Sequence, residues 1–158
     1  MKKCIVILSG LLLMQSCQYG RPVLTENEKS DIAEAILALN DVAVQAAARV
    51  NLDAMFETLA ERDHVIIRNG VLIKNKEEAY LQYQQLFQGL SKVEYHFDQL
   101  RAHILSGNAA YITACGESVV TTNDQRLFRR PFAQTTIYAR EDGEWRVVHT
   151  HASSPNRT

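Results

Sequence analysis

The stretch that decides the fold runs from Thr135 to Ser153 and reads TTIYAREDGEWRVVHTHAS. At its centre, Asp142-Gly143 favours a tight hairpin turn, because both residue types tolerate positive φ angles. The β-branched and aromatic residues on either side predict two antiparallel strands. Trp145, just after the turn, is a large side chain suited to the seam between a sheet and its helices.

The two strands of this hairpin are the last of four predicted in the second half of the chain. The segments are 93–105, 109–121, 127–140 and 144–152. Turn-favouring residues separate them at 106–108, 122–124 and 141–143. The second half of the chain therefore predicts a four-strand antiparallel meander.

The first half of the chain predicts three helices and a short hairpin. Thr25 and Glu28 form a capping box before apolar residues at helical spacing, which indicates a long amphipathic helix. Asn51 caps a second, shorter helix, and Asn75 caps a third over roughly 76–90. Between them, residues 64–68 and 71–73 flank Asn69-Gly70, a hairpin signal. The pattern predicts an α+β fold with three helices on the concave face of a curved antiparallel sheet.

The beginning of the chain has the features of an export signal. Lys2 and Lys3 precede an apolar run, Ile5 to Met14, which is too short to span a membrane as a helix. The segment 13–17, LMQSC, resembles a lipobox, in which Cys17 is lipidated and the leader is removed before it. Met14 lies where that pattern prefers Leu, so a plain secretory peptide with an incidental cysteine stays open as the alternative.

The lipoprotein interpretation divides the chain into four parts. These are a signal peptide at 1–16, a lipid-anchored tether at 17–24, the α+β domain at 25–153 and a polar tail at 154–158. Several acyl chains on Cys17 would anchor the protein stably. Lipidation at Cys17 predicts a protein of the bacterial cell envelope. Asp directly after the cysteine is the usual signal for retention in the inner membrane. Because Gln18 stands there instead, the periplasmic side of the outer membrane is favoured in a Gram-negative cell.

Charge and cysteine usage narrow the class of partner. The net charge is −1, and removal of Lys2 and Lys3 with the leader lowers it to −3. A weakly acidic chain without a basic block argues against nucleic acid as a partner. Cys115 would be the single thiol left unmodified, in an apolar stretch where burial is expected. Contact with the membrane is predicted through the lipid anchor only.

The order of elements and the ending from Thr135 to Ser153 resemble the nuclear transport factor two-like superfamily. Asp-Gly-x-Trp followed by His-x-His-x-Ser is similar to the SnoaL-like branch, which includes the association domain of calcium/calmodulin-dependent kinase. The resemblance covers residues 25–153 and implies a cone-shaped fold with a cavity between sheet and helices. It also implies a homodimer formed through the outer face of the sheet.

Two histidines near the end of the last predicted strand are the first candidates for the cavity. Strand alternation would place His149 and His151 on the same face as Trp145 and Val147. On the concave face, the two imidazoles could bind an anion, relay protons or donate two metal ligands. The alternative is a structural pair, hydrogen-bonded at the sheet end or at a dimer interface. Since no third ligand lies at a suitable spacing, we predict no metal and no cofactor.

Other candidates are spread along the chain. Asp63 and His64 lie where the second helix gives way to the first strand, and Asp63 is a further catalytic candidate. The resemblance to the kinase association domain implies that Arg130 could turn inward as an anion clamp; the alternative is a solvated turn. Tyr80 and Tyr83 lie on the third helix, where only one can face fully inward, and core packing is the alternative to ligand binding. Glu117 is either a base with a raised pKa or an exposed residue of the convex face.

These residues predict a small-molecule-binding domain rather than a defined enzyme. The base and oxyanion hole of a ketosteroid isomerase cannot be assigned from the spacing. The alternative is an enzyme of the cyclase, isomerase or hydrolase kind, with His149 or His151 as general base.

Overall fold

The computed structural model of the chain describes residues 23–62 and 64–155. Its helices are α1 (Glu26–Ala48), α2 (Leu52–Phe56) and α3 (Lys76–Phe87). Its strands are β1 (Val65–Arg68), β2 (Val71–Ile73), β3 (Leu90–Ser106), β4 (Ala109–Thr122), β5 (Leu127–Glu141) and β6 (Glu144–Ser153). The α+β prediction is confirmed. The leader, Cys17, most of the tether and Asp63 lie outside the described residues.

Each helix begins at the predicted cap. In α1, the Thr25 hydroxyl accepts from the Glu28 N–H at 3.2 Å, and the Glu28 carboxylate accepts from the Thr25 N–H at 2.7 Å. The Asn51 and Asn75 side chains accept from the N–H three residues further on, at 3.1 and 2.8 Å. These bonds satisfy backbone donors that the first turn of a helix leaves free.

Within the described residues, no helix is long and apolar enough to cross a membrane.

The six described strands form one sheet in the order β2-β1-β6-β5-β4-β3. The meander β3 to β6 is antiparallel, as predicted. The β1–β2 hairpin joins it through a parallel pairing of β1 with β6, in which Val65 lies opposite His149. The sheet is therefore mixed, and this pairing brings the hairpin residues next to the last strand of the meander.

Two of the predicted turns have the expected backbone. Asn69 and Gly70 have φ angles of 49° and 81°, and Asp142 and Gly143 have φ angles of 52° and 89°. Two consecutive positive φ angles match the twist of the flanking strands, which is why these dipeptides favour two-residue hairpins.

A bulge interrupts the pairing of the two longest strands. Phe97 pairs with Gly116 and Gln99 pairs with Cys115, so Asp98 is one extra residue in β3. Such an insertion bends a strand and increases its local twist. At Gly116 the two backbones approach so closely that a Cβ would lie 2.0 Å from the carbonyl oxygen of His96.

The core lies between the helices and the concave face of the sheet. Ile36 of α1, Ile112 of β4 and Tyr138 of β5 are its largest fully buried side chains. Phe56 of α2 and Ala79 of α3 belong to the same cluster. The helices therefore pack on the concave face, as the pattern predicted, and bury their apolar sides against it.

Candidate functional site

A cavity of about 130 Å³ lies between the helices and the concave face of the sheet. Asn40 and Ala43 of α1, Phe56 of α2 and Tyr83 of α3 line its helical side. Side chains of β1 and of β3 to β6 line the opposite side, because alternate residues of a strand point to the same face. Those used below are Ile66, Ala114, Phe132, Gln134, Thr136 and Thr150.

Aromatic rings form part of the wall. Tyr95 and Phe97 of β3 each lie 5.8 Å from the Phe132 ring centroid, in edge-to-face arrangements. Phe56 and Tyr83 form a second edge-to-face pair, also at 5.8 Å. Burial raises the pKa of the Tyr95 phenol. These rings offer flat, apolar surfaces to a bound molecule.

The lining also contains uncharged polar groups. The Tyr138 hydroxyl donates to Asn40 Oδ1 at 3.3 Å, and Gln134 Nε2 donates to Thr136 Oγ1 at 2.8 Å. Burial strongly raises the pKa of Tyr138, so its phenol stays neutral. Apart from tyrosines, no ionisable side chain belongs to the described lining. The cavity therefore offers hydrogen bonds but neither a carboxylate nor an imidazole.

The expected placement of His149 and His151 is wrong. Val147 pairs with Tyr138, but His149 pairs with Ile137, so Val148 is an extra, unpaired residue in β6. Because Val148 is one extra residue in β6, the residues that follow it point to the opposite face from the one that strict alternation predicts. Val147 and Thr150 line the cavity, whereas His149 and His151 lie on the convex face. The bulge thus separates both histidines from Trp145 and from the cavity.

The two tyrosines of α3 have different positions. Tyr83 lines the cavity, as one of the pair was expected to do. Tyr80 lies outside it, where its hydroxyl donates to Asp53 Oδ1 at 2.6 Å. That hydrogen bond raises the pKa of Tyr80. Tyr80 also contacts the Phe56 ring from the side, at 5.2 Å between centroids, and lines a surface groove between α2 and α3.

His64 is buried but does not line the cavity. Its side chain is 2% exposed, and neither ring nitrogen has a hydrogen-bond partner. Burial lowers the pKa of His64 to about 4, and the positive charges of Lys76 and His149 act in the same direction. The imidazole is therefore neutral near pH 7. Asp63, the catalytic candidate next to it in the sequence, lies outside the described residues.

Arg129 and Arg130 of β5 and Glu117 of β4 are at the surface. Arg130 is exposed and does not belong to the cavity lining, so the inward clamp is not formed. Arg129 Nη1 lies 2.6 Å from Glu117 Oε1 in an ion pair across β4 and β5. Glu117 pairs with Pro131, one residue along from the pair of Gly116 and Phe132. Phe132 faces the cavity, and successive residues of a strand point to opposite faces, so Glu117 belongs to the convex face.

Cys115 lies on the outer face of the sheet. Cys115 is half-buried and its thiol is free; it pairs with Ala133 on the convex face rather than lying in the core.

Across residues 23–62 and 64–155, no three His, Cys, Asp or Glu side chains come close enough to hold a metal ion.

Sequence reasoning missed most of the cavity. Gln134, Thr136, Thr150, Tyr95 and Phe132 were not singled out, although all lie on predicted strands. The available signal was alternation within each strand: Phe132, Gln134, Thr136 and Tyr138 are every second residue of β5. Alternation divides the residues of a strand into two faces, but it does not show which of the two faces is concave and lines the cavity.

Comparison with known proteins supports the fold. The sequence profile of the SnoaL-like domain family matches residues 36–157. No curated protein sequence matches significantly. Among solved structures, a Xanthomonas campestris protein assigned as a calcium/calmodulin-dependent protein kinase II association domain is 17% identical, with a TM-score of 0.68. The aligned region covers 78% of this chain and 87% of that one.

Two further structures share the fold. A ketosteroid isomerase-like protein from Erwinia carotovora atroseptica is 16% identical over 79% of this chain and 97% of its own, with a TM-score of 0.67. A type 2 hexachlorocyclohexane dehydrochlorinase is 13% identical over 85% and 92%, with a TM-score of 0.71. At these identities the likeness concerns the fold and not the activity. The chain therefore belongs to the SnoaL-like domain family.

Proposed function

We propose that this protein is an envelope lipoprotein whose SnoaL-like domain binds a small molecule in the cavity between sheet and helices. The observation that carries the proposal is the composition of that cavity, which combines aromatic walls with a few amide and hydroxyl groups. Concave, mostly apolar sites with a small number of placed polar groups are typical of ligand pockets.

The size of the cavity limits the ligand. A cavity of about 150 Å³ accommodates a benzene molecule, and this one has about 130 Å³. A single aromatic ring or a short branched chain fits this volume. The edge-to-face groups around Phe132 and Phe56 favour a flat apolar body, and Gln134 and Asn40 offer hydrogen bonds to one polar substituent.

Binding has more support than catalysis by a histidine base. The alternative of a cyclase, isomerase or hydrolase requires His149 or His151 to reach the substrate, and both lie on the convex face. A general base must come within hydrogen-bond distance of the proton that it removes. Within the described lining, tyrosines are the only ionisable groups, and burial raises the pKa of Tyr95 and Tyr138, so neither is a base near pH 7.

Location and assembly complete the proposal. Lipidation at Cys17 would hold the domain at the bacterial envelope, with the outer membrane favoured by Gln18. A homodimer would form through the convex face, where half-buried Thr113, Thr135 and Ile137 occupy neighbouring strands. β-Branched side chains on an uncovered sheet face suit a two-fold interface with a second copy.

A pair of alanines on adjacent strands tests the binding proposal. Ala114 lines the cavity, whereas Ala133 lies on the convex face. We expect a fragment library of single-ring and short-chain compounds to yield ligands by NMR. Ala114→Leu should abolish their binding because its side chain fills the cavity, and Ala133→Leu should leave it unchanged. A screen without ligands, or ligands equally sensitive to both substitutions, would refute a cavity site.

A further inference from the structure

The charge at the edge of the cavity suggests what kind of molecule the cavity takes. Arg68 is the last residue of β1 and lies two residues after Ile66, which lines the cavity. Strand alternation places both on the concave face. Arg68 pairs with Ala152, and Ala152 pairs with Gln134, another lining residue. With strands spaced roughly 4.8 Å apart, an arginine side chain is long enough to reach the cavity from this row.

The aromatic wall fixes where the guanidinium lies. Its central carbon is 5.5 Å from the centroid of the Tyr83 ring, within the range of a cation–π contact. Tyr83 and Tyr95 both line the cavity. The charge of Arg68 also lowers the pKa of the Tyr95 phenol, against the larger effect of burial, which raises it. The cation is therefore held against the aromatic end of the cavity.

This cation has no counter-charge in the described part of the chain. The ion pairs among residues 23–62 and 64–155 involve other arginines and lysines, and no side-chain hydrogen bond reaches Arg68. The lining contains no Asp or Glu either. A half-buried guanidinium without a carboxylate favours binding of an anion, because partial desolvation strengthens the attraction.

We infer that Arg68 recognises the anionic group of the ligand and that the cavity takes small carboxylates with a flat, apolar body. The inference rests on the proposed binding function and adds the class of ligand to it. The planar guanidinium can donate two parallel hydrogen bonds to one carboxylate. The rings of Tyr83, Tyr95 and Phe132 then contact the apolar body of the same molecule.

Benzoate and benzamide test the inference, because they have nearly the same shape and differ in charge. Calorimetry would use the full chain in lipid nanodiscs, with empty nanodiscs as the blank. We expect benzoate to bind at least about tenfold more tightly than benzamide, as charge-assisted hydrogen bonds are stronger than neutral ones. Benzoate affinity should fall with added salt, and benzamide affinity should not.

Variants separate the charge from the cavity. Arg68→Gln should remove the preference for benzoate and leave benzamide binding within about twofold, and Arg68→Lys should keep part of the preference. Arg101→Gln is the matched control, since Arg101 is exposed and pairs with Thr113 on the convex face. Thermal unfolding of each variant shows whether it is folded. If Arg68→Gln does not fold, the salt dependence of the wild-type protein decides.

Four outcomes would overturn the inference, and they differ from one another. Equal binding of both probes to the wild-type protein, or a preference that survives in Arg68→Gln, would reject Arg68 as the anion site and leave the binding function standing. If neither probe binds, and no library fragment binds either, the proposed function fails as well. Binding that persists in Ala114→Leu would place the probes outside the cavity.

Discussion

Gly116 of β4 lies so close to His96 of β3 that a Cβ on the glycine would be 2.0 Å from the histidine carbonyl oxygen. The contact is with backbone, which cannot move aside as a flexible side chain could. It lies next to the bulge at Asp98, where the long strands bend around the cavity. The close approach of these two strands therefore depends on the absence of a side chain at position 116.

Gly116→Ala should destabilise the protein by about 1–3 kcal/mol or more, because the added methyl group forces the strands apart. Urea unfolding followed by circular dichroism measures this change. Gly89→Ala is the control, since a Cβ at Gly89 meets no atom within 4 Å and its φ angle is not in the positive range. If both variants have the stability of the wild-type protein, the packing at Gly116 is not as tight as described.

The neutral state of His64 should make stability depend on pH. The pKa of His64 is about 4 in the folded protein and about 6.5 in the unfolded chain, so the unfolded chain binds more protons between these values. The free energy of unfolding should therefore fall as the pH drops from about 6.5 to about 4, by about 3 kcal/mol in all. Above pH 6.5 this contribution is complete.

A variant isolates the His64 contribution from that of other groups. His64→Phe removes the titration and keeps a buried ring, so its stability should depend less on pH between 6.5 and 4.5 than that of the wild-type protein. His96→Gln, at an exposed position, should behave like the wild-type protein. Urea unfolding at several pH values gives the slopes; identical slopes for wild-type and His64→Phe would contradict a buried neutral imidazole.

The cap of α3 should contribute measurably to stability. Asn75 Oδ1 accepts from the Glu78 N–H at 2.8 Å, and Asn75→Ala should cost about 1 kcal/mol because that donor loses its partner. Asn75→Asp should keep most of the stability, since a carboxylate accepts the same bond. Thermal unfolding of the three proteins compares them, and equal losses for alanine and aspartate would argue against the cap.

Lipidation depends on one residue. In a bacterial host given radiolabelled palmitate, the wild-type protein should be labelled and should sediment with membranes, because acyl chains on a cysteine partition into the bilayer. Cys17→Ala should lose both properties, and Cys115→Ala should keep both. A labelled Cys17→Ala protein would exclude Cys17 as the anchor, and an unlabelled, secreted wild-type protein would favour the plain signal peptide.

Self-association through the convex face should be sensitive to a charge at its centre. Thr135 pairs with Thr113 and His151 on that face. Thr135→Arg should convert a dimer to a monomer, because two arginines would meet near the two-fold axis. Val42→Arg, at an exposed position of α1, is the control. Light scattering measures the mass, and a wild-type monomer would reject the dimer.

The sequence was sufficient wherever the signal was local. Thr25, Asn51 and Asn75 start their helices as predicted, and the Asn69-Gly70 and Asp142-Gly143 turns were found correctly. A cap bonds to an N–H two or three residues away, and a two-residue turn depends on the φ preferences of its own residues. Both partners of such an interaction lie within a few residues of each other, so a short segment of the sequence is enough to predict it.

Which residues line the cavity was decided by the tertiary structure. The extra residue Val148 moves His149 to the opposite face from Val147, although strict alternation predicts one face for both. A bulge depends on how two strands hydrogen-bond, and nothing in the residues 147–149 alone reveals it. The parallel pairing that brings Arg68 beside Ala152 joins residues more than 80 positions apart.

From the ending TTIYAREDGEWRVVHTHAS the hairpin could be determined, and the ending together with the order of the predicted elements gave the family resemblance, because both depend on the order of residues along the chain. The faces of that same hairpin could not, because the concave side exists only once α1, α2 and α3 have packed on it. Sequence by itself therefore determined the elements and the class of fold. The tertiary structure decided the site, because burial and cross-strand register are properties of the assembled sheet.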